Sequence, residues 1–218
     1  MIFLTAKRFW KILLISTALF LSLLGFVTYK VLWDPENTKQ VYYPMSAKEK
    51  GLLHSGDIIL RKGYGFFSDA IVQSQPEGYA VSHCAMVIRK NNTLSVVQAL
   101  SSSVAEFDGV QGQPLQRFLN ESVPNSIVVL RFKSTPDTLE LLAQKVLNYS
   151  RLKKPFDHKF DDADTSQFYC TELFRQSFLQ VLKRDIFKNH RNAAANNAYD
   201  LTTFQDTSLF ECIIKHCH

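Results

Sequence analysis

Three residues of this chain have the types that nucleophilic chemistry at a carbonyl carbon needs: Cys170, His83 and Gln98. Cys170 marks a boundary. In the stretch DDADTSQFYCTELFRQSFLQVLKR, residues 161 to 184, the chain before the cysteine is acidic and polar, and the chain after it is amphipathic. Leu173, Phe174, Phe178, Val181 and Leu182 recur at helical spacing from Cys170. This spacing predicts a helix with the cysteine on its buried face, in its first turn. A helix N-terminus offers unpaired N–H groups and a partial positive charge. Both favour a thiolate over a thiol, and the same N–H groups can receive a developing oxyanion. The plainer reading is a small buried apolar residue, which free cysteine often is.

A thiol nucleophile needs an imidazole as its base. His83 lies inside the apolar run VSHCAMVI, where an unpartnered polar ring would be costly to bury. Side chains alternate along a strand, so His83, Ala85 and Val87 share one face and Cys84 points the other way. Asn91 and Asn92 are turn residues, because Asn tolerates positive φ. A two-residue loop there pairs Lys90 with Thr93 and Val87 with Val96. It places Gln98 on the face of His83, within diagonal reach of the ring. A Gln amide oxygen can accept from one ring nitrogen and leave the other for the thiol, the orienting role in a triad. A three-residue loop would reverse that parity, and a strand glutamine bonded to backbone is the plainer reading.

These residues need elements to hold them. SGDIILRKG predicts a short strand at Ile58–Leu60, and GFFSDAIVQSQ a short helix. Asp57 reads as a backbone anchor at the strand start. AVSHCAMVIRK, apolar at nearly every position, reads as a central strand, with TLSVVQAL as its hairpin partner. PLQRFLN predicts one or two helical turns, and NSIVVLRF a strand. STPDTLELLAQKVLNYSRLKK carries helix start signals: Thr135 at the N-cap, Pro136 at N1 and an acid in the first turn.

The chain has 218 residues, 46% of them hydrophobic, enough for one domain with a real core. The net charge of +5 is misleading, because Lys7, Arg8, Lys11 and Lys30 supply +4 of it within residues 1–33. The remainder carries about +1, so no nucleic-acid surface is expected. Residues 12 to 29 form an uncharged run of 18, matching the ~17–25 residues of a spanning helix. An uncleaved anchor is the preferred reading of residues 1–33, with a cleaved signal peptide as its rival, since no A-x-A pattern follows. In either case the basic cluster stays cytoplasmic and the rest is exported. Residues 34–51 are polar and read as a tether, with the domain over 52–218.

Four cysteines (Cys84, Cys170, Cys212, Cys217) are too few for a disulfide scaffold. In the tail ECIIKHCH, a Cys212–Cys217 disulfide is preferred over a metal site formed with His216 and His218, because metal-ligand spacing is missing. Asp161, Asp162 and Asp164 lack the calcium-loop pattern and read as a solvated acidic loop.

Taken in order, GDIILRKG, SHCAMVI, VVQAL and FDHKFDDADTSQFYCTELF resemble the circularly permuted NlpC-type papain-fold hydrolases of the YiiX-like group, over roughly residues 52 to 183. In ordinary papain-like enzymes the cysteine helix precedes the histidine strand. In the permuted group the order is histidine, polar residue, cysteine, as here. The resemblance implies Cys170 as nucleophile, His83 as base and Gln98 at the orienting position. That position is often acidic in the group, and the aromatic-Asp pair that is often Tyr-Asp is Phe156-Asp157 here. The expected fold is α+β: a small antiparallel sheet packed on the helix that carries Cys170, preceded by a transmembrane helix. The expected activity is a cysteine hydrolase cleaving an amide or ester bond in cell-wall peptides through an acyl-enzyme. A lipid acyl hydrolase or acyltransferase, or a non-catalytic lipid- or peptide-binding module, is the alternative. No cofactor or metal is expected. The expected surroundings are a membrane and a periplasm.

Overall fold

The computed structural model describes residues 6–32, 42–75, 78–161, 163–188, 191–192 and 198–217. The chain divides into two units, Met1–Lys39 and Gln40–His218. Among the described residues the first contains one helix, α1 (Ala6–Leu32). Its stretch Arg8–Tyr29 is long and apolar enough to cross a membrane, with a mean hydropathy of 2.1, and none of it is buried. At 1.5 Å per residue, 22 residues span about 33 Å, the thickness of a hydrocarbon core. Such a helix near an N-terminus is a membrane span or a signal sequence.

The second unit is built on six antiparallel strands in the order β4-β3-β2-β1-β5-β8. These are β1 (Ile58–Arg61), β2 (His83–Lys90), β3 (Thr93–Leu100), β4 (Gly109–Pro114), β5 (Val128–Phe132) and β8 (Phe210–Lys215). A two-strand pair, β6 (Arg191–Asn192) with β7 (Ala198–Tyr199), stands apart from them. The helices are α2 (Ala47–Leu52), α3 (Phe66–Ser74), α4 (Leu115–Asn120), α5 (Pro136–Arg151) and α6 (Cys170–Leu182). Thr135 caps α5 by accepting from Thr138 N–H at 3.3 Å, with Pro136 in its first turn, as the sequence predicts.

The apolar character of β2 has a simple cause, since both faces of the strand are covered. Cys84, Met86 and Ile88 face one core with α5 and α6, where Leu142, Val146, Leu173, Phe174 and Phe178 pack. Ala85 and Val87 face a second core with Leu115, Phe118 and Leu119 of α4. Fully burying a large apolar side chain stabilises by roughly 1.5–3 kcal/mol, so the completely buried Phe118, Phe174 and Phe178 are major contributors. Asp57, fully buried, holds the start of β1. It accepts from His54 N–H at 2.7 Å and from the Arg131 guanidinium at 2.6 and 2.8 Å.

Two strands of the six-strand sheet are not marked in the sequence. β4 has the sequence GVQGQP and lies at one edge, held by pairing with β3 and by Val110 N–H donating to Lys154 O at 2.8 Å. Gly109, at φ 137°, makes that approach, and a Cβ there would collide with the Lys154 carbonyl. β8 forms the other edge and pairs with β5 across a register shift at Val129/Leu130. The expected tether over 34–51 also ends early. Tyr43 and Met45 are buried in the second core, and α2 starts at Ala47 behind a capping box of Ser46 and Glu49. From residue 42 the chain is part of the folded unit.

Candidate active site

β2 begins at His83, paired with Arg61 at the end of β1. Asn91 turns the hairpin at φ 54°, and the register runs Lys90–Thr93, Val87–Val96, Met86–Val97. Continued one step, it sets Gln98 across from Ala85 and diagonal to His83, as the sequence predicts. His83 Nε2 and Gln98 Oε1 are 2.8 Å apart. The amide oxygen is an acceptor only, so Nε2 carries the proton and Nδ1 is left for the thiol. Gln98 is fully buried, and its own amide nitrogen has no hydrogen-bond partner. Such an orphaned donor costs about 1–3 kcal/mol, which the bond to His83 offsets only in part. The imidazole rests near the Phe118 ring, centroids 6.3 Å apart. That ring carries the Arg61 guanidinium at 4.4 Å on it, itself bonded to Phe118 O at 3.0 Å and Glu121 at 3.2 Å.

Cys170 is the first residue of α6 and is half-buried. Tyr169 at the N-cap makes no side-chain capping bond. The Cys170 thiol is held well below the ordinary range. Cys84 donates to its sulfur, and the bond and charge of His83 and the Thr171 N–H act the same way, against burial, which pushes it up. Cys84 moves in the opposite direction, well above the ordinary range, through complete burial and the neighbouring charge on Cys170. His83 therefore stands between Gln98, which holds its ring, and Cys170, whose thiol it lowers. A thiolate, an imidazole with a fixed tautomer and the N–H groups of a helix's first turn can together attack a carbonyl, move a proton and hold an oxyanion.

The loop before α6 is built by its own carboxylates. Buried Asp157 accepts from Lys159 and Asp161 N–H at 2.8 and 2.6 Å, and Asp164 accepts from Ser166 N–H at 2.9 Å. Asp162 lies outside the described residues. Phe168 N–H closes the loop on Pro155 O at 3.0 Å. The tail differs from expectation: Cys212 and Cys217 are free thiols. Cys212 lies within β8 and Cys217 two residues beyond its end at Lys215. Among the described residues no three His, Cys, Asp or Glu side chains form a metal-binding group, and His218 is not among them. Two surface hollows, of about 440 and 450 Å³, lie along Tyr43, Asn125 and His216 and along Lys50, Arg89 and Leu115, and neither is lined by the three residues above.

A family model described as permuted papain-like amidase enzyme, YaeF/YiiX, C92 family, matches residues 52–211. The chain belongs to this family. The permuted papain-like amidases are cysteine peptidases or amidases, which makes this chain a thiol hydrolase by family. Its fold is similar to the crystal structure of yiiX from Escherichia coli O157:H7, described as a metalloprotein. That likeness has 18% identity and a TM-score of 0.59, over 76% of this chain and 98% of that one. No curated protein matches the chain. For a permuted papain-like amidase, the histidine strand comes first and the cysteine helix last, which fits β2 and α6.

Cys84 is the neighbour that sequence reasoning passed over. Alternation places it opposite His83, and α6 covers that same face of the sheet, so its proximity to Cys170 follows only when the two expectations are combined.

Proposed function

We propose that Cys170 is the nucleophile of this hydrolase, with His83 as its proton carrier and Gln98 as the residue that orients the ring. The observation that carries this reading is the 2.8 Å bond between His83 Nε2 and Gln98 Oε1, with His83 in turn lowering the Cys170 thiol at the head of α6. In this mechanism the Cys170 thiolate attacks an amide carbonyl. N–H groups of the first turn of α6 stabilise the oxyanion, and His83 protonates the leaving amine. Water then attacks the thioester while His83 takes its proton, and the acid leaves. Each step uses only side chains and N–H groups of this chain.

The substrate we infer is a peptide amide of the cell wall. A lipid acyl group is a second reading, favoured by one observation. α3 buries none of its residues, and it exposes Phe66, Phe67 and Ile71. It sits between Arg61 and His83, the paired residues at the site end of the sheet. Val104 and Phe107, in the loop that follows β3, are also exposed at that end. Exposed apolar groups beside a reactive thiol suit a substrate with an acyl chain. We further infer that the domain is exported, with Arg8 and Lys11 on the cytoplasmic side of a membrane-spanning α1. Protease added outside intact spheroplasts should then cut the domain.

The deciding experiment incubates the full chain with cell-wall peptide fragments and, in parallel, with acyl lipids, and reads the intact mass. An acyl adduct on Cys170 from the peptides supports the first reading, and one from the lipids the second. No adduct from either, with Cys170 unreactive toward a thiol probe at neutral pH, would sink both.

A further inference from the structure

Cys84 takes no part in the mechanism above, yet it faces the helix that begins at Cys170. Cys84 is completely buried, on the face of β2 covered by α6, in the apolar cluster against which Cys170 packs. Each thiol moves the other's titration, Cys84 lowering Cys170 and Cys170 raising Cys84. The other two cysteines belong to β8 and the residues after it, at the far edge of the sheet. We propose that Cys84 and Cys170 form a reversible disulfide when a hydroperoxide oxidises Cys170, with Cys84 as the resolving thiol. The inference rests on the reading of Cys170 as a thiolate.

The two cysteines are matched to different roles. Oxidation by a hydroperoxide follows thiolate character and exposure; Cys170 is a depressed thiol and only half-buried, whereas Cys84 is completely buried. Cys84 is protonated and sealed from solvent, so it is not the first target. The Cys170 thiolate attacks the hydroperoxide, the O–O bond breaks, and the sulfur becomes a sulfenic acid while the other oxygen leaves and is protonated to an alcohol or water. The Cys84 sulfur then attacks the Cys170 sulfur. The S–O bond breaks, and the hydroxide leaves as water with the Cys84 proton. The peroxide is reduced and the two thiols are oxidised, with no further reactant. The new S–S bond of ~2.05 Å joins β2 to the first residue of α6. The disulfide blocks the proposed nucleophile and spares it from sulfinic acid, which is irreversible for most proteins.

The test treats the full chain with about one equivalent of hydrogen peroxide and maps its peptides. Expected is a loss of about 2 Da, a Cys84–Cys170 cross-linked peptide, loss of Cys170 labelling by iodoacetamide, and recovery of labelling with a dithiol. In Cys84→Ala and Cys84→Ser the same dose should leave Cys170 with added oxygen and without dithiol recovery beyond the sulfenic stage. The serine variant keeps a hydroxyl donor at that position if alanine fails to fold. A Cys170 that labels rapidly but forms no cross-link to Cys84, or that gains oxygen as fast in wild type as in the variants, overturns the disulfide and leaves the hydrolase reading intact. A Cys170 that fails to label at neutral pH before any oxidation overturns both.

Discussion

Two histidines in this chain are held in nearly the same way. His83 Nε2 meets Gln98 Oε1 at 2.8 Å, and His216 Nε2 meets Glu49 Oε1 at 2.6 Å. By residue type alone, the His216 group is closer to a catalytic set: an imidazole, a carboxylate and, at 2.9 Å from Nδ1, the Tyr43 hydroxyl. The difference lies at the other ring nitrogen. His216 has both nitrogens occupied, by Glu49 and Tyr43, and its ring stacks on Tyr43 at 5.8 Å and 10°. His83 has one nitrogen fixed and the other available to a thiol. An imidazole with two filled positions is a clamp, and one with a single filled position can carry a proton. The clamp joins the residues that follow the first unit to the end of the chain, where His216 N–H also donates to Ile127 O at 2.8 Å.

The strongest way to break this distinction is to remove each ring in turn. General-base assistance is typically worth 10²–10⁴ in rate, so His83→Ala should lower turnover by at least about 10². Cys170→Ser should abolish it nearly completely. His216→Ala should leave turnover within about twofold and lower thermal stability instead. Labelling of Cys170 in wild type should stay fast as pH falls through neutrality. A depressed thiol keeps its charge until the pH drops below its own pKa. In His83→Ala that fall-off should move to higher pH. Equal losses of turnover from both alanine variants would remove the distinction.

A smaller effect is expected at Gln98. A neutral hydrogen bond contributes about 0.5–1.5 kcal/mol, about tenfold in rate at its upper end. Gln98→Ala should cost up to that factor in kcat with little change in KM. Gln98→Glu keeps an acceptor oxygen at the same reach and should restore most of the loss. If Gln98→Ala changes only stability, the residue supports the sheet and does not orient the ring.

Much of this was readable from the sequence, because the signals were local. The Asn91–Asn92 turn fixed the register that brings Gln98 to His83. Helical spacing after Cys170 and the Thr135–Pro136 start gave α6 and α5. What escaped was held by distant partners. β4 has two glycines, two glutamines and a proline, weak strand formers, and is a strand because β3 pairs with it. β8 pairs with β5, far back in the chain. Tyr43 sits in a polar segment, and nothing near it indicates that it would be buried with His216 stacked on it.

Glu49 offers a pH test confined to the clamp. Its carboxyl is lowered to about 2, first by the Ser46 hydroxyl and then by His216 and the Ser46 N–H, with burial acting the other way. The folded value lies below the unfolded one. The stability it contributes is therefore complete above about pH 4.5 and is lost as pH falls toward about 2. The side chain is 27% exposed, so screening should hold the effect to roughly 1–2 kcal/mol, short of the full linkage. Glu49→Gln should lower Tm above pH 5, and the gap to wild type should close as the pH approaches 2. Turnover should not follow it.

The smallest effect belongs to the Tyr43 hydroxyl, and it separates the ring's packing from its hydrogen bonds. The hydroxyl lies 2.9 Å from His216 Nδ1 and can donate to it. With Nδ1 accepting, Nε2–H donates to Glu49, and the imidazole is held in one tautomer. Tyr43→Phe removes the hydroxyl and keeps a ring that is only 5% exposed in the second core. His216 is half-buried, and water can replace the lost partner there. The expected loss is about 1 kcal/mol, read from the denaturant midpoint at unchanged slope. Tyr43→Ala discards the buried ring as well and should cost about 3–5 kcal/mol. A phenylalanine variant as unstable as the alanine variant would mean that the hydroxyl network, not the buried ring, holds this segment to the domain. The clamp would then be primarily a polar device, closer in kind to the His83 site than its filled nitrogens suggest.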